Sequence, residues 1–486
     1  MGRLSDLWDR VTGADRRARQ RMMRAIAERP GISPQRIDRI AQLLGTIPPE
    51  TVRRWEAGPT DRVDQAHWAN VTGQPVNADL NTWLQQIRHK CAYEAANNPL
   101  IEGMINTYQL TCVGASAPKL SITTDDLSYA ARRSAVWEEW TRVAGSNQQD
   151  SLTEILYLWI RSLFVDGEFF TQLITADDAE GVALRLLPIH AYRCFTPPYM
   201  LGVPEVALGV RRDVPRRRPL SYFISQPYIW QAFEVYQGKF DEISYANMLH
   251  GFLKLEADQV RGLPWLAPGL DALAQLRDFK IETLDAARAA ADWSVLLTTN
   301  HHDAPYVQVN DTVDVERRTI KHLPPGWMAN QMAPAHPGPQ FVPFYESLAR
   351  EIGSSVCMPL LMLLLDSSSS NYSSARFDGQ MFWRGVARTQ GWLGRHLIRL
   401  ESLVAQEAEL MGLLPPAPLD MQRSFVWPHA PHVDPLKEAN AERTQLENGS
   451  LTYTQLCASR GVSIEAMIAQ RKRENELLKA AGLPPI

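Results

Sequence analysis

The sequence has few cysteines, and none of them form a recognisable pair. The five cysteines are Cys91, Cys112, Cys194, Cys357 and Cys457. They are an odd number, lie far apart, and include no CxxC motif, so they match neither a disulfide framework nor a zinc-ribbon pattern. We therefore expect reduced thiols, as in a cytoplasmic protein.

Long hydrophobic runs are also missing. The longest strongly apolar run, residues 356–365, contains Pro359 and has about half of the roughly 20 residues that a membrane-spanning helix needs. The first residues are polar and do not resemble a signal peptide. The sequence therefore predicts a protein that is neither anchored in a membrane nor secreted.

An excess of positive charge is absent as well. Lys and Arg total 50 against 54 Asp and Glu, which gives a formal net charge of -4. Proteins that hold nucleic acid by neutralising many phosphates are usually basic. Any contact with DNA is therefore expected to be loose or confined to small patches. The length and the 45% hydrophobic content are those of an ordinary globular protein with several domains.

The common enzyme motifs GxGxxG, GxxxxGK[ST], HExxH and GxSxG do not occur. His301, His302 and Asp303 are adjacent, and adjacent side chains rarely converge on one metal ion, so a solvated loop is the favoured interpretation. Asp166 and Glu168 flank Gly167 between two apolar segments, which indicates a turn between a helix and a strand rather than a catalytic pair. The sequence predicts no enzyme, metal or cofactor.

The N-terminal segment, residues 1–60, differs from the rest of the chain. Its basic residues include Arg10, Arg16, Arg17, Arg19, Arg21 and Arg24. Together with apolar residues at helical spacing they predict a basic amphipathic arm. Residues 32–55 place Ala41, Gly45 and Val52 roughly as a helix-turn-helix would. An ordinary helical hairpin is favoured over a DNA-reading unit, which stays an alternative.

Periodicity in the remaining chain predicts an α+β fold. Helices are expected around Leu84, Ile87 and Cys91 and around Ile155 to Leu163. Strands are expected at 169–175, 182–189, 221–224 and 233–236. The later predicted elements are a helix at 269–293, short polar strands within the proline-rich 300–343, a helix at 344–364 interrupted near Pro359, a serine loop at 366–374, a helix at 375–411 bent at its glycines, a strand at 424–427, and a helical tail at 435–481 broken at Gly449 and Gly461.

The helix at 269–293 carries a regular row of carboxylates. The row consists of Asp271, Asp278, Asp285 and Asp292. Seven residues are close to two helical turns, so these side chains lie along one face. The apolar positions expected to pack elsewhere are Leu273, Leu276, Ile281 and Leu284. On periodicity alone the favoured interpretation is a solvated outer face, on which Arg288 pairs with Asp285 or Asp292.

Several segments resemble the lambda-type portal proteins of tailed bacteriophages, and they occur in the order of that family. They are residues 96–106, 112–114, 166–168, 258–268, 371–376, and 433–439 with Gly449, Thr452 and Gly461. The most specific are the family motif residues Arg261, Gly262, Pro264 and Trp265, and the Asn-Tyr-Ser-Ser-Ala-Arg element at 371–376. The resemblance covers roughly residues 60–485. Residues 31–59 match no family feature, and residues 211–218 look like an insertion.

The resemblance implies a portal fold with an α/β wing, a helical stem, a small β-containing clip, a long bent helix and a helical crown. The implied parts are a basic N-terminal arm and helical segment (1–60), wing (61–260), first stem helix (261–299), clip (300–343), second stem helix (344–365), tunnel loop (366–375), long bent helix with return to the wing (376–432) and crown (433–486).

The resemblance also implies a homododecameric ring at one capsid vertex, through which DNA is packaged and ejected. In such a ring the aspartate row is expected to face the channel, where negative charge lets DNA slide without sticking. The tunnel loop would contact the DNA channel through Ser369, Ser370, Asn371, Tyr372, Ser373, Ser374 and Arg376. Of these, Arg376 is expected to anchor the following helix rather than to grip DNA.

Further implied partners are the terminase large subunit, a head-completion or adaptor protein, and the major capsid and scaffold proteins. The expected location is the portal vertex of the virion, after assembly in the host cytoplasm. Two other functions compete with this one. A DNA-binding packaging component, such as a terminase partner built around residues 31–56, would need a basic sequence-reading surface. A capsid-associated enzyme would need a reactive set of side chains.

Overall fold

The chain folds into helices and short antiparallel strands. The structure, a computed structural model, describes residues 74–176, 181–226, 239–292, 296–299, 327–330, 340–368, 370–430, 435–459, 464–482 and 484. The helices are α1 (Val76–Asn97), α2 (Pro99–Val113), α3 (Leu127–Arg142), α4 (Leu152–Val165), α5 (Leu270–Asp292), α6 (Phe341–Ser354), α7 (Leu360–Leu364), α8 (Tyr372–Leu410), α9 (Pro435–Glu447), α10 (Tyr453–Ser459) and α11 (Ile464–Ala480). The strands are β1 (Lys119–Thr123), β2 (Glu168–Thr175), β3 (Leu184–Ile189), β4 (Val206–Ala207), β5 (Val210–Arg212), β6 (Pro219–Ser225), β7 (Phe240–Ser244), β8 (Met248–Phe252), β9 (Leu296–Thr299), β10 (Trp327–Asn330) and β11 (Gln422–Val426). The predicted α+β class is confirmed.

Helix α4 leads directly into the central strand of a sheet. A capping box starts the helix. The Ser151 hydroxyl oxygen accepts a hydrogen bond from the Thr153 N–H, and the Glu154 carboxylate accepts one from the Ser151 backbone N–H. Trp159 on its buried face stacks on Phe169 of β2, with ring centroids 4.2 Å apart. The chain then turns at Gly167, whose φ of 83° favours glycine. The predicted turn between a helix and a strand is confirmed here.

Two antiparallel sheets share one apolar core. Strand β2 lies between β3 and β8, and the second sheet has the order β4-β5-β6-β7. Phe170 of β2 is paired with Ile189 on one side and with His250 on the other. The shared core consists of Phe170, Ile189, Ala191, Cys194, Val210, Tyr222, Ile224, Met248 and Val260. Apolar burial therefore stabilises the packing of the two sheets.

Strand β11 returns to the early part of the chain and pairs antiparallel with β1, from Lys119 opposite Val426 to Thr123 opposite Gln422. A buried ion pair reinforces this return. Glu401 of α8 accepts hydrogen bonds from Arg133 of α3 at 2.7 and 3.0 Å and from Arg423 of β11 at 2.6 Å. The long helix α8 is thus held between segments that are far apart in sequence.

The chain divides into two compact units. One contains Met1–Ala267 and Ser367–Ile486, and the other is Pro268–Asp366, inserted between them. Within the inserted unit, α5 packs against α6 through Phe279, whose ring centroid lies 5.3 Å from that of Phe341 and 4.6 Å from that of Phe344. Helix α5 confirms the helix predicted at 269–293.

Two predicted helix starts were too late. Helix α6 begins at Phe341 rather than 344, and Pro343 therefore lies in its first turn. Proline is tolerated there, because the backbone N–H groups of the first turn have no acceptor within the helix. Helix α8 begins at Tyr372 rather than 375, because the Asn371 side chain accepts a hydrogen bond from the Ser374 N–H at 2.8 Å and caps the helix. The serine loop is shorter than predicted as a result.

The last predicted elements agree with the structure where it describes them. Strand β11 overlaps the strand predicted at 424–427, and α9 to α11 form a tail interrupted around Gly449 as predicted. Two predicted features, the strand at 233–236 and the helix break at Gly461, lie outside the described residues. No helix in the described part of the chain combines the length and the apolar character needed to cross a membrane.

Candidate functional site

A buried carboxylate, Glu168 at the start of β2, lies in the unit that contains both β-sheets of the shared core. Its Oε1 accepts a hydrogen bond from Arg261 Nε at 2.7 Å and pairs with Arg88 of α1. Its Oε2 lies 2.9 Å from both His250 Nε2 of β8 and the backbone N of Gly262. We call Arg88, Asp166, Glu168, His250 and Arg261 the buried charge cluster.

Arg261 uses its remaining N–H groups on the backbone. Its Nη1 donates to the carbonyls of Cys194 and Leu208, both at 2.6 Å, and its Nη2 donates to the carbonyl of Ala191 at 2.9 Å. The guanidinium also lies over the Phe170 ring, 5.2 Å from its centroid. One arginine of the family motif therefore ties the segment after β8 to three points around the shared core.

The two glycine-containing motifs lie against each other. A Cβ on Gly262 would be 2.0 Å from the carbonyl oxygen of Gly167, and a Cβ on Gly167 would be 2.2 Å from the carbonyl carbon of Leu263 and 2.4 Å from Pro264 N. Only glycine tolerates such a close approach of two backbones. The Asp-Gly-Glu and Arg-Gly-Leu-Pro-Trp segments thus form one packed junction.

Trp265 completes this junction by packing into an aromatic group. Its ring centroid lies 5.6 Å from that of Tyr108 and 5.2 Å from that of Phe164. Its backbone N–H donates to the Leu163 carbonyl at the end of α4, at 3.1 Å. The Tyr108 hydroxyl in turn lies 2.8 Å from the Thr389 hydroxyl of α8. The motif tryptophan therefore joins α2, α4 and α8.

Two arginines lie against the single carboxylate of Glu168. Burial raises the pKa of Glu168, but Arg261, Arg88 and the hydrogen bond with His250 together outweigh it and hold the pKa well below its usual value. Burial lowers the pKa of His250 in spite of the hydrogen bond to Glu168, so the imidazole is neutral at pH 7. The Glu168 side chain is fully buried. The cluster is a buried ion network that joins α1, β2, β8 and the segment after β8.

The aspartate row lies on the exposed face of α5. Asp271, Asp278 and Asp285 are exposed, and Arg288 Nη1 lies 3.0 Å from Asp285 Oδ1, as the pairing pattern predicts. Asp292 is in the last turn of α5, and its side chain lies outside the described part of the structure.

The packing predicted for the apolar positions of α5 is wrong for two of four residues. Leu273 and Leu276 are buried, whereas Ile281 and Leu284 are 52% and 53% exposed. Leu284 has nearly the same direction around the helix as Leu273, about three turns further on. Burial therefore decreases along the axis of α5, which the periodicity of the sequence does not reveal.

The predicted tunnel-loop residues lie around one helix end. Tyr372, Ser373, Ser374 and Arg376 are exposed in the first turns of α8, and Asn371 is its N-cap. Ser370 precedes the cap, and Ser369 lies outside the described residues. Consecutive helical positions point in different directions. The structure therefore brings these residues to one place in the chain without forming a single cluster of side chains.

Several predicted features cannot be placed. The basic arm, the segment 31–56 and the sequence His301, His302 and Asp303 lie outside the described residues. Among the residues that are described, no three His, Cys, Asp or Glu side chains are grouped to hold a metal ion.

Two members of the buried charge cluster were missed by the sequence reasoning, namely Arg88 and His250. A signal existed for Arg88, because it lies on the same helical face as Leu84 and Cys91, and all three are buried. A charged residue on an apolar helix face indicates a buried partner. No comparable local signal marks His250.

A protein-family model agrees with the family motifs. The model, described as "Phage portal protein, lambda family", matches residues 63–390, which is more than half of the chain. The chain is similar to a protein in the neck of a native gene transfer agent particle, with 14% identity, a TM-score of 0.47, and coverage of 78% of this chain and 94% of that one. It is also similar to an HK97-family phage portal protein from Corynebacterium diphtheriae, with 11% identity, a TM-score of 0.35, and coverage of 72% and 96%. No curated protein matches the chain. Because this family model covers more than half of its length, the chain belongs to the lambda family of phage portal proteins.

Proposed function

We propose that this chain forms a homododecameric ring at one capsid vertex and conducts double-stranded DNA during packaging and ejection. The observation that carries the proposal is the row of exposed carboxylates on α5, Asp271, Asp278 and Asp285, in a chain of the portal family. In a ring this row would repeat around the channel, and like charge would keep phosphates from binding to the wall. The proposal assigns the chain a structural role, with no catalytic activity and no cofactor.

Each part of the chain would form a different region of the portal ring. The unit with the buried charge cluster would be the wing, and α5 with α6 and α7 would be the stem. Residues 300–343 would belong to the clip, and the last three of them are also the first residues of α6. Residues 366–375 would form the tunnel loop, and the last four of them are also the first residues of α8, which we propose to be bent at its glycines. Helices α9 to α11 would form the crown.

Neutralising the carboxylate row is expected to make DNA movement slower and more dependent on salt. The test is the triple variant Asp271→Asn, Asp278→Asn and Asp285→Asn, measured by the rate of DNA packaging into particles at low and high salt. Loss of repulsion leaves DNA free to make longer contacts with the wall. A matched control neutralises three exposed carboxylates of the other unit, Asp125→Asn, Glu138→Gln and Glu139→Gln. Equal rates in both variants would argue against a channel role for α5.

Changing the start of α8 is expected to impair packaging while rings still form. Asn371→Ala would remove a helix cap that contributes about 1 kcal/mol, so a packaging defect could then come from a less stable helix α8. The variant Asn371→Ser with Tyr372→Ala keeps a capping oxygen but removes the amide and the exposed ring. The expected outcome is a reduced yield or shortened length of packaged DNA. Full-length packaging at the yield of the unmodified chain would reduce the segment to a connector.

The clip is proposed to dock the terminase large subunit first and a head-completion or adaptor protein afterwards, in a ring that is also contacted by the major capsid and scaffold proteins. Assembly would take place in the host cytoplasm and end at the portal vertex of the virion. Deleting residues 300–339 keeps all residues of α6 but removes β10, the pairing partner of β9. Terminase binding by a ring with this deletion, at the affinity of the complete chain, would contradict the docking role.

A further inference from the structure

A cationic pocket lies beside the buried charge cluster. It has a volume of about 230 Å³ and is formed by β5, β6, the turn between them and the segment that follows β8. Its charged and polar lining includes Arg212, Arg217, Lys254, Asp258 and Tyr245, and His250 of the cluster closes one side. The turn belongs to residues 211–218, the basic segment that looked like an insertion in the sequence.

Arg212 is the unusual member of this lining. Arg212 is partly buried, and among the described residues no carboxylate or carbonyl accepts a hydrogen bond from its guanidinium. Burial and the neighbouring Arg217 both lower the pKa of Arg212, and no acid offsets them. A charged group that is partly removed from water without a counterion is unfavourable by itself. An anion in the pocket would supply the missing partner.

One wall of the pocket is the turn after β5, which has its own backbone hydrogen bond. The Asp213 N–H donates to the Arg218 carbonyl at 2.8 Å, and Arg217 in this turn has a φ of 56°. The guanidinium of Arg217 pairs with Asp258. The backbone hydrogen bond closes the cationic turn without a ligand, which reduces the ordering that binding would require.

The opposite wall is fixed from two sides. The Gln259 side chain accepts from the Leu255 N–H at 2.6 Å and donates to the Arg261 carbonyl at 2.8 Å. The Asn77 side chain at the start of α1 donates to the Asp258 carbonyl at 2.8 Å and accepts from the Val260 N–H at 2.9 Å. Both walls are therefore preformed, as is usual for binding sites of small ligands.

The charge of the lining selects the ligand. Arg212, Arg217 and Lys254 are cations and Asp258 is an anion, so the lining has a surplus of positive charge. Behind the wall, Glu168 is matched by two arginines and does not cancel this surplus. A phosphate with one or no ester carries about −1.5 to −2 at pH 7, and its oxygens fit a guanidinium fork. A DNA-backbone phosphodiester carries a single charge and continues as a chain on both sides, which suits a concave pocket poorly.

We propose that this pocket binds a dianionic phosphate group, either free inorganic phosphate or the terminal phosphate of a phosphomonoester. The site is separate from the proposed channel residues and does not depend on the portal role. It gives the basic segment 211–218 a function that the family motifs do not supply.

The test is calorimetric titration of the purified full-length chain with inorganic phosphate in a phosphate-free buffer at constant ionic strength. We expect saturable binding, weakened at least tenfold by Arg212→Gln and, independently, by Lys254→Gln. The matched control is Arg216→Gln, which removes one exposed charge from the same turn. Arg216 does not line the pocket. Its phosphate affinity should equal that of the unmodified chain. Circular dichroism of each variant establishes that it is folded.

Two further ligands distinguish binding of free inorganic phosphate from binding of a phosphomonoester. A 5′-phosphorylated oligonucleotide is compared with the same oligonucleotide carrying a 5′-hydroxyl. Arg212-dependent binding of the phosphorylated form alone supports a phosphomonoester, and binding of inorganic phosphate without either oligonucleotide supports the free ion. Absence of saturable binding overturns the proposal. So do equal affinities of Arg212→Gln and Arg216→Gln for phosphate, since binding would then reflect only the net charge of the turn.

Discussion

Replacing Glu168 by alanine is expected to lower the free energy of unfolding by about 3–5 kcal/mol, the range found when one partner of a buried ion pair is removed. The substitution leaves Arg88 and Arg261 charged in positions that are 4% and 2% exposed. It also removes the acceptor of the Gly262 N–H. The measurement is the midpoint of urea unfolding, compared between the variant and the unmodified chain.

The control for this variant is Glu102→Ala. Glu102 pairs with Arg161 at 2.9 Å, but both side chains are more than a third exposed, so the expected loss is below about 1 kcal/mol. A variant at Glu168 that is no less stable than the variant at Glu102 would contradict the structural role of the buried charge cluster.

Gly262→Ala is expected to lower the free energy of unfolding by about 3 kcal/mol, at the upper end of typical overpacking effects. The added methyl group would lie 2.0 Å from the Gly167 carbonyl oxygen. Relief requires the two motif backbones to separate, which would stretch the hydrogen bond from Gly262 N to Glu168 Oε2. The same urea unfolding measurement checks this variant.

A glycine without such a neighbour gives the opposite expectation. Gly103 lies inside α2, and a Cβ there would meet no atom within 4 Å. Gly103→Ala should therefore stabilise the chain by up to about 1 kcal/mol through helix propensity. If both alanine variants changed stability in the same direction, the close approach at Gly262 would not be the cause of its effect.

Much of the secondary structure could be predicted because it follows from local patterns. The apolar spacing around Trp159 predicts α4, and the proline-free, alanine-rich run predicts α5. Gly167 between two acids predicts the turn into β2. Errors arose where two local signals competed. The serines before α8 indicated a loop, while Asn371 indicated a helix cap, and in the structure the cap determines where α8 begins.

The partners of Glu168 could not be predicted because sequence distance hides them. Arg88, His250 and Arg261 are 80, 82 and 93 positions away from it. No periodicity extends over such separations, and the groups meet only where α1 and the segment after β8 pack against the sheet β3-β2-β8. The resemblance to portal proteins singled out Arg261 and the Asp-Gly-Glu turn as separate motifs. That they form one junction is information that only the structure supplies.

Assembly of this chain into a portal ring can be measured as the mass of the purified protein in solution by light scattering, with negative-stain images of the same sample. We expect a dodecameric closed ring with a central hole. A strictly monomeric species at every protein concentration and salt concentration, also in the presence of scaffold and capsid proteins, would contradict it.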